Sequence, residues 1–386
     1  FSRIPLFYES ILLLVWTLGG GLEWLDQAWR GLGLGSLYTG TAVMLSAMFI
    51  MALLDLPFSL YHTFVVEQRF GFNRSTPVLF FTDLIKHALL LFIIGGPLIA
   101  LALWIMQASG ALWWLYVWAV WLGFSLLMMW AYPKFIAPLF NKFEPLEDDE
   151  LRNRITALLD KCGFSSNGIF VMDGSRRSGH GNAYFTGFGN NKRIVFFDTL
   201  LESLSPDEME AVLAHELGHF RRHHILKQLL LTAPFSFAGL ALLGWFSKQP
   251  WFYQDLGMTQ SSNAAALVLF IMVTPVFTLF LAPLASFLSR RHEFEAARVG
   301  RVQQAALALQ DQDLGLAVLP GGPHGVLDLA GHEVVHQGIE NDRVAGALHP
   351  RGLPGSDQLG AKTRSLECVH QEPGCGAFAC GPRGIR

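Results

Sequence analysis

The chain has 386 residues, of which 52% are hydrophobic and 15% are charged, and its formal net charge is −3. Soluble proteins carry roughly 25% charged residues, so this composition excludes an ordinary soluble protein and points to a lipid bilayer. The small negative net charge gives no reason to expect nucleic acid as a partner. The cysteines, at 162, 368, 375 and 380, are too few and too unevenly spaced for a disulfide framework.

Six apolar runs predict six membrane-spanning helices, because each is close to the roughly 20 residues that cross a hydrocarbon core. They lie at about 5–24, 36–60, 78–107, 111–132, 227–246 and 263–288. The first, third and fifth connections carry only Arg30 and Lys248, whereas the other three segments are rich in lysine and arginine. The positive-inside rule therefore places those three basic segments on the cytoplasmic side.

The polar segment 133–226 predicts a small α+β part. An amphipathic helix is expected at 149–162, and strands are expected at 168–172 and 192–197, on either side of the stretch 182–187. An exposed strand here could hold an extended peptide by adding it to the sheet. The residues Ser-Pro-Asp-Glu at 205–208 are a helix-start pattern, with a capping serine, a first-turn proline and first-turn acids.

A histidine pair in the helix that follows carries the strongest chemical signal. His215 and His219 are four residues apart, so both imidazoles lie on one helix face and can reach a single ion. With Glu216 after the first histidine, this His-Glu-x-x-His spacing is typical of zinc peptidases. Such sites keep three protein ligands, and spacing alone leaves three candidates for the third, all just after the last span: Glu293, Glu295 and His292.

The predicted chemistry is peptide hydrolysis with one Zn²⁺ per chain. The metal would lower the pKa of a bound water and polarise the scissile carbonyl, while Glu216 would carry the proton to the leaving amine. A second His-Glu-x-x-His match, from His332 to His336, stands in a Gly- and Pro-spaced polar tail, and we interpret it as coincidental. His223 and His224 are expected to be interfacial residues rather than ligands.

Several motifs together resemble the type 1 CAAX prenyl protease family, integral-membrane zinc metallopeptidases. The resemblance covers about residues 5–296. It includes Glu-Gln-Arg-Phe-Gly-Phe-Asn at 67–73, Ile-Ala-Pro-Leu-Phe-Asn-Lys-Phe at 136–143, Asp-Gly-Ser-Arg-Arg-Ser at 173–178, Lys-Arg-Ile-Val-Phe-Phe-Asp at 192–198, His-Glu-Leu-Gly-His at 215–219 and Arg-His-Glu-Phe-Glu-Ala at 291–296.

This resemblance implies a helical membrane barrel around a water-filled chamber, with zinc at its cytoplasmic end. It implies cleavage after a prenylated cysteine, as in eukaryotic relatives, and it selects Glu293 as the third ligand. It also implies that a strand formed by Asn182, Ala183, Tyr184 and Phe185 lies alongside the substrate.

The same resemblance shows departures. The family has a further amino-terminal span, and because the chain begins at Phe1 we expect residues upstream to be missing. The family's aspartate four residues after the ligand glutamate is Ala297 here, and its carboxy-terminal His-Pro-Pro element is missing; His349 stands in a different setting. We therefore expect residues 297–386 to be a mostly disordered tail from a shifted reading frame.

The expected organisation is four spans over 1–132, the zinc-peptidase segment over 133–226, two spans with the third ligand over 227–296, and the atypical tail over 297–386. The predicted function is a membrane-embedded zinc metalloendopeptidase acting on peptide or protein substrates, prenylated ones at the family level and damaged membrane proteins in a bacterium. The alternative is a catalytically inactive relative that binds substrates. The predicted location is the endoplasmic reticulum or a bacterial inner membrane, and a transporter is disfavoured because the spans hold few charges.

Overall fold

The computed structural model describes residues 3–161, 164, 166, 168–186, 192–316, 366–369 and 379–382. Side chains within these ranges are described from residue 7 to residue 298, except at 161 and 220. The described part is mainly helical, with a four-stranded sheet in its polar segment. This confirms the predicted fold class.

Five helical segments are long and apolar enough to cross a membrane in the described part of the chain. They are Ser36–Glu67, Pro77–Ala108, Gly110–Phe140, His224–Phe246 and Asn263–Arg298. The first three comprise α3 (Ser36–Tyr61), α4 (Pro77–Leu90), α5 (Gly96–Ala108), α6 (Trp113–Ala131) and α7 (Ala137–Phe140), joined by π-helical or 3₁₀ turns.

The predicted span at 5–24 is not a single helix. It contains α1 (Arg3–Trp16), of 14 residues, and the start of α2 (Gly21–Arg30). Residues 17–20, which include Gly19 and Gly20, separate the two helices, and Gly20 at the start of α2 takes the left-handed backbone conformation with φ of 76°, which a continuous helix does not contain. The prediction of one continuous span here was wrong.

The membrane helices pack together mainly at one end. Buried residues cluster where α3, α6 and α13 (Asn263–Leu316) begin, where α5 and α11 (His224–Phe246) end, and on α2 and α12 (Pro250–Gln254). Along α13 every residue from 264 to 269 is buried, whereas none of the described side chains from 270 to 295 is. The helices therefore converge at this end and separate toward the opposite one, where the polar segment lies.

The polar segment folds as a sheet with three helices. The strands β1 (Phe143–Pro145), β2 (Ile169–Met172), β3 (Ala183–Thr186) and β4 (Arg193–Phe197) lie in the order β1-β2-β4-β3. Only the β2–β4 pairing is parallel. Packed with the sheet are α8 (Asp149–Lys161), α9 (Asp198–Ser203) and α10 (Pro206–Arg221), which share one buried apolar cluster with it. The predicted helix and both predicted strands are present, with ends shifted by one residue.

The loop after α3 is joined to the polar segment by backbone hydrogen bonds. Gly179 N donates to Phe72 O at 2.7 Å, and Arg74 N donates to Arg177 O at 3.1 Å. At the opposite end, Thr259 N donates to the carboxylate of Glu23 at 3.0 Å. The basic connections therefore gather at one end of the bundle and the less charged connections at the other, as the charge pattern predicted.

Helix α13 does not end at the boundary expected near 297, because it continues to Leu316. Farther along, β5 (Leu366–Val369) and β6 (Ala379–Pro382) form an antiparallel pair. The predicted second motif from His332 to His336, and His349, lie outside the described residues.

Candidate metal centre

The helix that carries the histidine pair begins with a capping box. Ser205 N donates to the Glu208 carboxylate at 2.9 Å, and Glu208 N donates back to Ser205 Oγ at 3.4 Å. These bonds satisfy two backbone donors at the start of α10. The bonds that Ser205 N and Ser205 Oγ donate to the Glu208 carboxylate lower the pKa of Glu208. The predicted start at Ser205 and Pro206 is confirmed, and it sets which residues of α10 face the core.

The buried face of α10 contains Leu213, Ala214 and Leu217, which are at most 2% exposed. His215, Glu216 and His219 therefore lie on or beside the opposite face, because side chains three to four residues apart share a face of an α-helix. This face is turned toward α13, the helix with which α10 makes its most extensive contact. The two helices approach so closely that a Cβ on Gly218 would lie 2.6 Å from Ala296 O.

Three side chains from α10 and α13 bring their ligand atoms together. The Nε2 atoms of His215 and His219 are 3.2 Å apart, and they lie 3.3 and 3.5 Å from Oε2 of Glu293. A tetrahedral zinc ion with bonds of about 2.0–2.1 Å holds its ligand atoms about 3.3 Å apart. The donor set and its three separations therefore fit zinc.

Glu216 lies next to this donor triangle and is partly buried. Burial raises the pKa of its carboxyl and outweighs the neighbouring His219 and His215, which lower it, while Glu293 raises it further. A carboxyl whose pKa is shifted toward neutral pH exchanges protons readily during a reaction. The Glu216 carboxyl therefore lies beside the candidate metal position with a raised pKa.

Of the three alternatives for the third ligand, Glu293 is the one whose carboxylate reaches both imidazoles. Glu295 instead contacts Lys227 at 3.3 Å and Arg291 at 3.2 Å. His292 stacks on His224, with ring centroids 4.4 Å apart. His224, expected to be interfacial, is instead buried, and its Nδ1 lies 2.9 Å from Nδ1 of His219. The contact of His224 with His219 was not predicted, because a contact between residues five apart across a helix break has no sequence pattern.

The stretch expected to lie along the substrate forms the edge strand β3 and the residue before it. Phe197 N donates to Asn182 O at 2.9 Å, so alternation along an antiparallel pair turns the N–H and C=O groups of Ala183 and Phe185 away from β4. Within the described part of the chain, β4 is the only strand paired with β3. The side chains of β3 pack within the protein: Ala183 is buried, Phe185 packs edge-on against Phe164, and Tyr184 contacts Met172.

A donor triangle of this size on a His-Glu-x-x-His helix, at one end of a bundle of membrane helices, is the arrangement of an integral-membrane metallopeptidase. Comparison with known proteins gives the same class. Residues 1–142 match the family described as CAAX prenyl protease N-terminal, five membrane helices, and residues 145–314 match peptidase family M48. The second match continues past 297, which agrees with the uninterrupted course of α13.

Individual relatives agree with the family matches. The CAAX prenyl protease 1 homolog of Dictyostelium discoideum is 39% identical over 64% of this chain and 59% of its own length. CAAX prenyl protease 1 of Saccharomyces cerevisiae is 39% identical over 68% of this chain and 62% of its own length. The crystal structure of S. mikatae Ste24p is 35% identical, with a TM-score of 0.65 over 73% of this chain and 70% of that one.

The chain belongs to peptidase family M48, among the CAAX prenyl proteases, which confirms the resemblance seen in the sequence. It spans about three fifths of the length of the first two relatives.

Proposed function

We propose that the chain is a membrane-embedded zinc metalloendopeptidase. The observation that carries this proposal is the convergence of the ligand atoms of His215, His219 and Glu293 beside the partly buried Glu216. Zinc held by these three residues would supply a Lewis acid for the scissile carbonyl and a water of lowered pKa. One zinc ion per chain is expected.

In the proposed reaction Glu216 is the proton carrier. Its carboxylate takes a proton from the attacking water and delivers it to the nitrogen of the leaving amine. The desolvation that raises the pKa of Glu216 makes it a stronger base than an exposed glutamate. His215, His219 and Glu293 hold the metal and take no part in proton transfer.

The proposed substrate is a peptide that carries a prenylated cysteine. The relatives named CAAX prenyl proteases support this choice. The outward N–H and C=O groups of Ala183 and Phe185 would hold the peptide backbone as an added strand beside α10. The separation of the membrane helices toward the metal end leaves space there for a lipid chain.

We further propose that the end of the bundle with the candidate metal centre faces the cytoplasm. In a eukaryotic cell, the membrane that holds the protein would be that of the endoplasmic reticulum. The lysines and arginines concentrated at that end support this orientation under the positive-inside rule. A competing proposal is an inactive relative that binds substrates without cutting. Ala297 favours it, because a methyl group cannot accept a hydrogen bond from a zinc ligand.

The test is hydrolysis of a synthetic farnesylated CAAX peptide by the purified full chain in lipid nanodiscs. We expect cleavage after the farnesylated cysteine, its loss on addition of a metal chelator, and slower cleavage of the same peptide without the lipid. Glu216→Gln should keep its zinc and lose turnover. Zinc-loaded wild-type protein that binds the peptide without cutting it would favour the inactive relative, and undiminished cleavage by the Gln variant would exclude the proposed role of Glu216.

A further inference from the structure

Behind the candidate metal centre, a buried histidine lies against the ring of a proposed ligand. His224 Nδ1 is 2.9 Å from Nδ1 of His219, on the side of that ring opposite the Nε2 atom that faces Glu293. His224 is 6% exposed and is the first residue of α11. Its other nitrogen, Nε2, lies 3.5 Å from Oε2 of Glu295 on α13.

The approach of His224 depends on a break between two helices. His223 separates α10 from α11 and has φ of 53°, the only positive φ among the described non-glycine residues. A residue other than glycine pays roughly 1–2 kcal/mol for this left-handed conformation. The turn brings the next residue back against the helix that the chain has just left, so that His224 meets His219.

Zinc bound at Nε2 of His219 would determine the protonation of every nitrogen in the row formed by His219, His224 and Glu295. A neutral imidazole that offers the Nε2 lone pair to a metal carries its proton on Nδ1, so His219 Nδ1 would be a donor. His224 Nδ1 must then accept, and the proton of neutral His224 lies on Nε2, where it points toward Glu295. Each contact has one donor and one acceptor only with this assignment.

At the far end of the row, the negatively charged Glu295 is held by two positively charged side chains. Besides His224, the Glu295 carboxylate contacts Lys227 Nζ at 3.3 Å and Arg291 Nε at 3.2 Å. On its face, the His224 ring stacks against His292, with 16° between the ring planes. These contacts therefore fix the position and orientation of the His224 ring, the acceptor for His219.

We propose that His224 is a positioning residue of the metal centre, which accepts the Nδ1 proton of His219 and passes the electrostatic influence of Glu295 to that ligand. This inference rests on the proposed metal site. The hydrogen bond fixes the tautomer and the rotation of the His219 ring and makes its Nε2 a stronger donor. Loss of such a partner typically lowers metal affinity about 10–100-fold.

Three variants test the proposal in the purified full chain. His224→Leu removes the acceptor but keeps an apolar group in the buried position, whereas His224→Asn places an amide oxygen near the position of Nδ1. His223→Asn is the matched control, because it removes the neighbouring exposed imidazole and asparagine tolerates the left-handed conformation. Zinc affinity is measured by competition with a chromophoric chelator, and Co²⁺ absorption reports the ligand geometry.

We expect His224→Leu to lose zinc affinity about 10–100-fold and to show an altered Co²⁺ spectrum, with His224→Asn closer to wild type and His223→Asn unchanged. The melting temperature of each metal-free protein separates this effect from general destabilisation. Zinc affinity and a Co²⁺ spectrum in His224→Leu equal to those of wild type would overturn the proposal, whereas a wild-type chain that binds no zinc would overturn the proposed metal site itself.

A double-mutant cycle tests whether Glu295 influences zinc affinity through His224. Glu295→Ala should lower zinc affinity in the same direction as His224→Leu, and the double variant should be no weaker than His224→Leu alone. Fully additive losses would contradict coupling through His224. This measurement also remains informative if His224→Leu folds poorly, because Glu295→Ala can be combined with His224→Asn instead.

Discussion

Gly218 is the residue on which the spacing of the two helices that carry the proposed metal ligands depends. It lies in α10 between the two proposed histidine ligands, and an added Cβ would lie 2.6 Å from O and 3.0 Å from Cα of Ala296. Ala296 is fully buried on α13, three residues after Glu293. Since the contact is with helix backbone, neither partner can yield by a side-chain rotation.

Gly218→Ala should therefore push α13 away from α10 and separate Glu293 from the two histidines. We expect zinc affinity to fall at least about ten-fold, with a loss of stability of about 1–3 kcal/mol from overpacking. Gly123→Ala is the control, because a Cβ there has no atom within 4 Å. Chelator competition on both variants checks this, and unchanged affinity in Gly218→Ala would show that the helix contact does not set the ligand geometry.

At the residue scale the sequence predicts what lies within one helix turn. His215, Glu216 and His219 are recognisable because their spacing alone puts them on or beside one face. The choice among Glu293, Glu295 and His292 depends on how α13 is rotated about its axis, which spacing does not contain. The contact of His224 with His219 depends on a left-handed residue between two helices, and histidine at such a position has no predictive pattern.

At the scale of elements, Arg177 joins the polar segment to the membrane helices. Its guanidinium donates to both carboxylate oxygens of Asp83 on α4, at 2.8 and 3.1 Å. It also donates to Oδ1 of Asn141 and to O of Phe140, each at 2.7 Å. One side chain thus ties the loop after β2 to α4 and to the end of α7.

Arg177→Ala should destabilise the protein by about 1–3 kcal/mol, less than the roughly 3–5 kcal/mol for breaking a fully buried pair. The neighbouring Arg176 is the matched control, because its pair with Asp173 at 3.2 Å is on the surface, where such pairs contribute about 0–1 kcal/mol. Thermal unfolding in detergent compares the two variants. Equal midpoints for Arg176→Ala and Arg177→Ala would contradict the joining role of Arg177.

The proposed role of the edge strand β3 leads to a prediction about how changes in the substrate alter its binding. If Ala183 and Phe185 bond a peptide backbone, only every second amide of that peptide faces β3. Single N-methylation at successive amides should therefore weaken binding in alternation, because each methyl removes one donor. The measurement is a competition assay with a methylated peptide series, and a uniform or position-independent loss would argue against strand addition.

At the scale of the whole molecule, the two ends of the bundle have different roles. The helices pack closely at the end that contains Glu23 and Thr259, and they separate toward the end that contains the candidate metal centre. Long apolar runs with alternating charged and uncharged connections were sufficient to predict this arrangement. They were not sufficient at 5–24, where hydropathy does not register the helix break between Trp16 and Gly21. They were also not sufficient at 297, where a change of composition occurs inside one continuous helix.

Cysteine labelling tests the arrangement of the two ends. In a background whose native cysteines are replaced by serine, single cysteines are placed at the exposed residues Leu34, Glu147 and Ser261. A membrane-impermeant maleimide applied to sealed vesicles should reach positions 34 and 261 from one face and position 147 only from the other, which we propose is the cytoplasmic face. Labelling of 147 and 261 from the same face would contradict a membrane-spanning α11.

Zinc stoichiometry across the two helices tests the central claim most directly. Wild-type protein, Glu293→Gln and Glu216→Gln are purified, stripped with chelator, reloaded with zinc and measured for bound metal per chain. We predict one zinc ion per chain in wild type and in Glu216→Gln, and weak or absent binding in Glu293→Gln, since an amide is a poor zinc ligand. Tight stoichiometric zinc in Glu293→Gln, or none in wild type, would contradict a metal centre built from His215, His219 and Glu293.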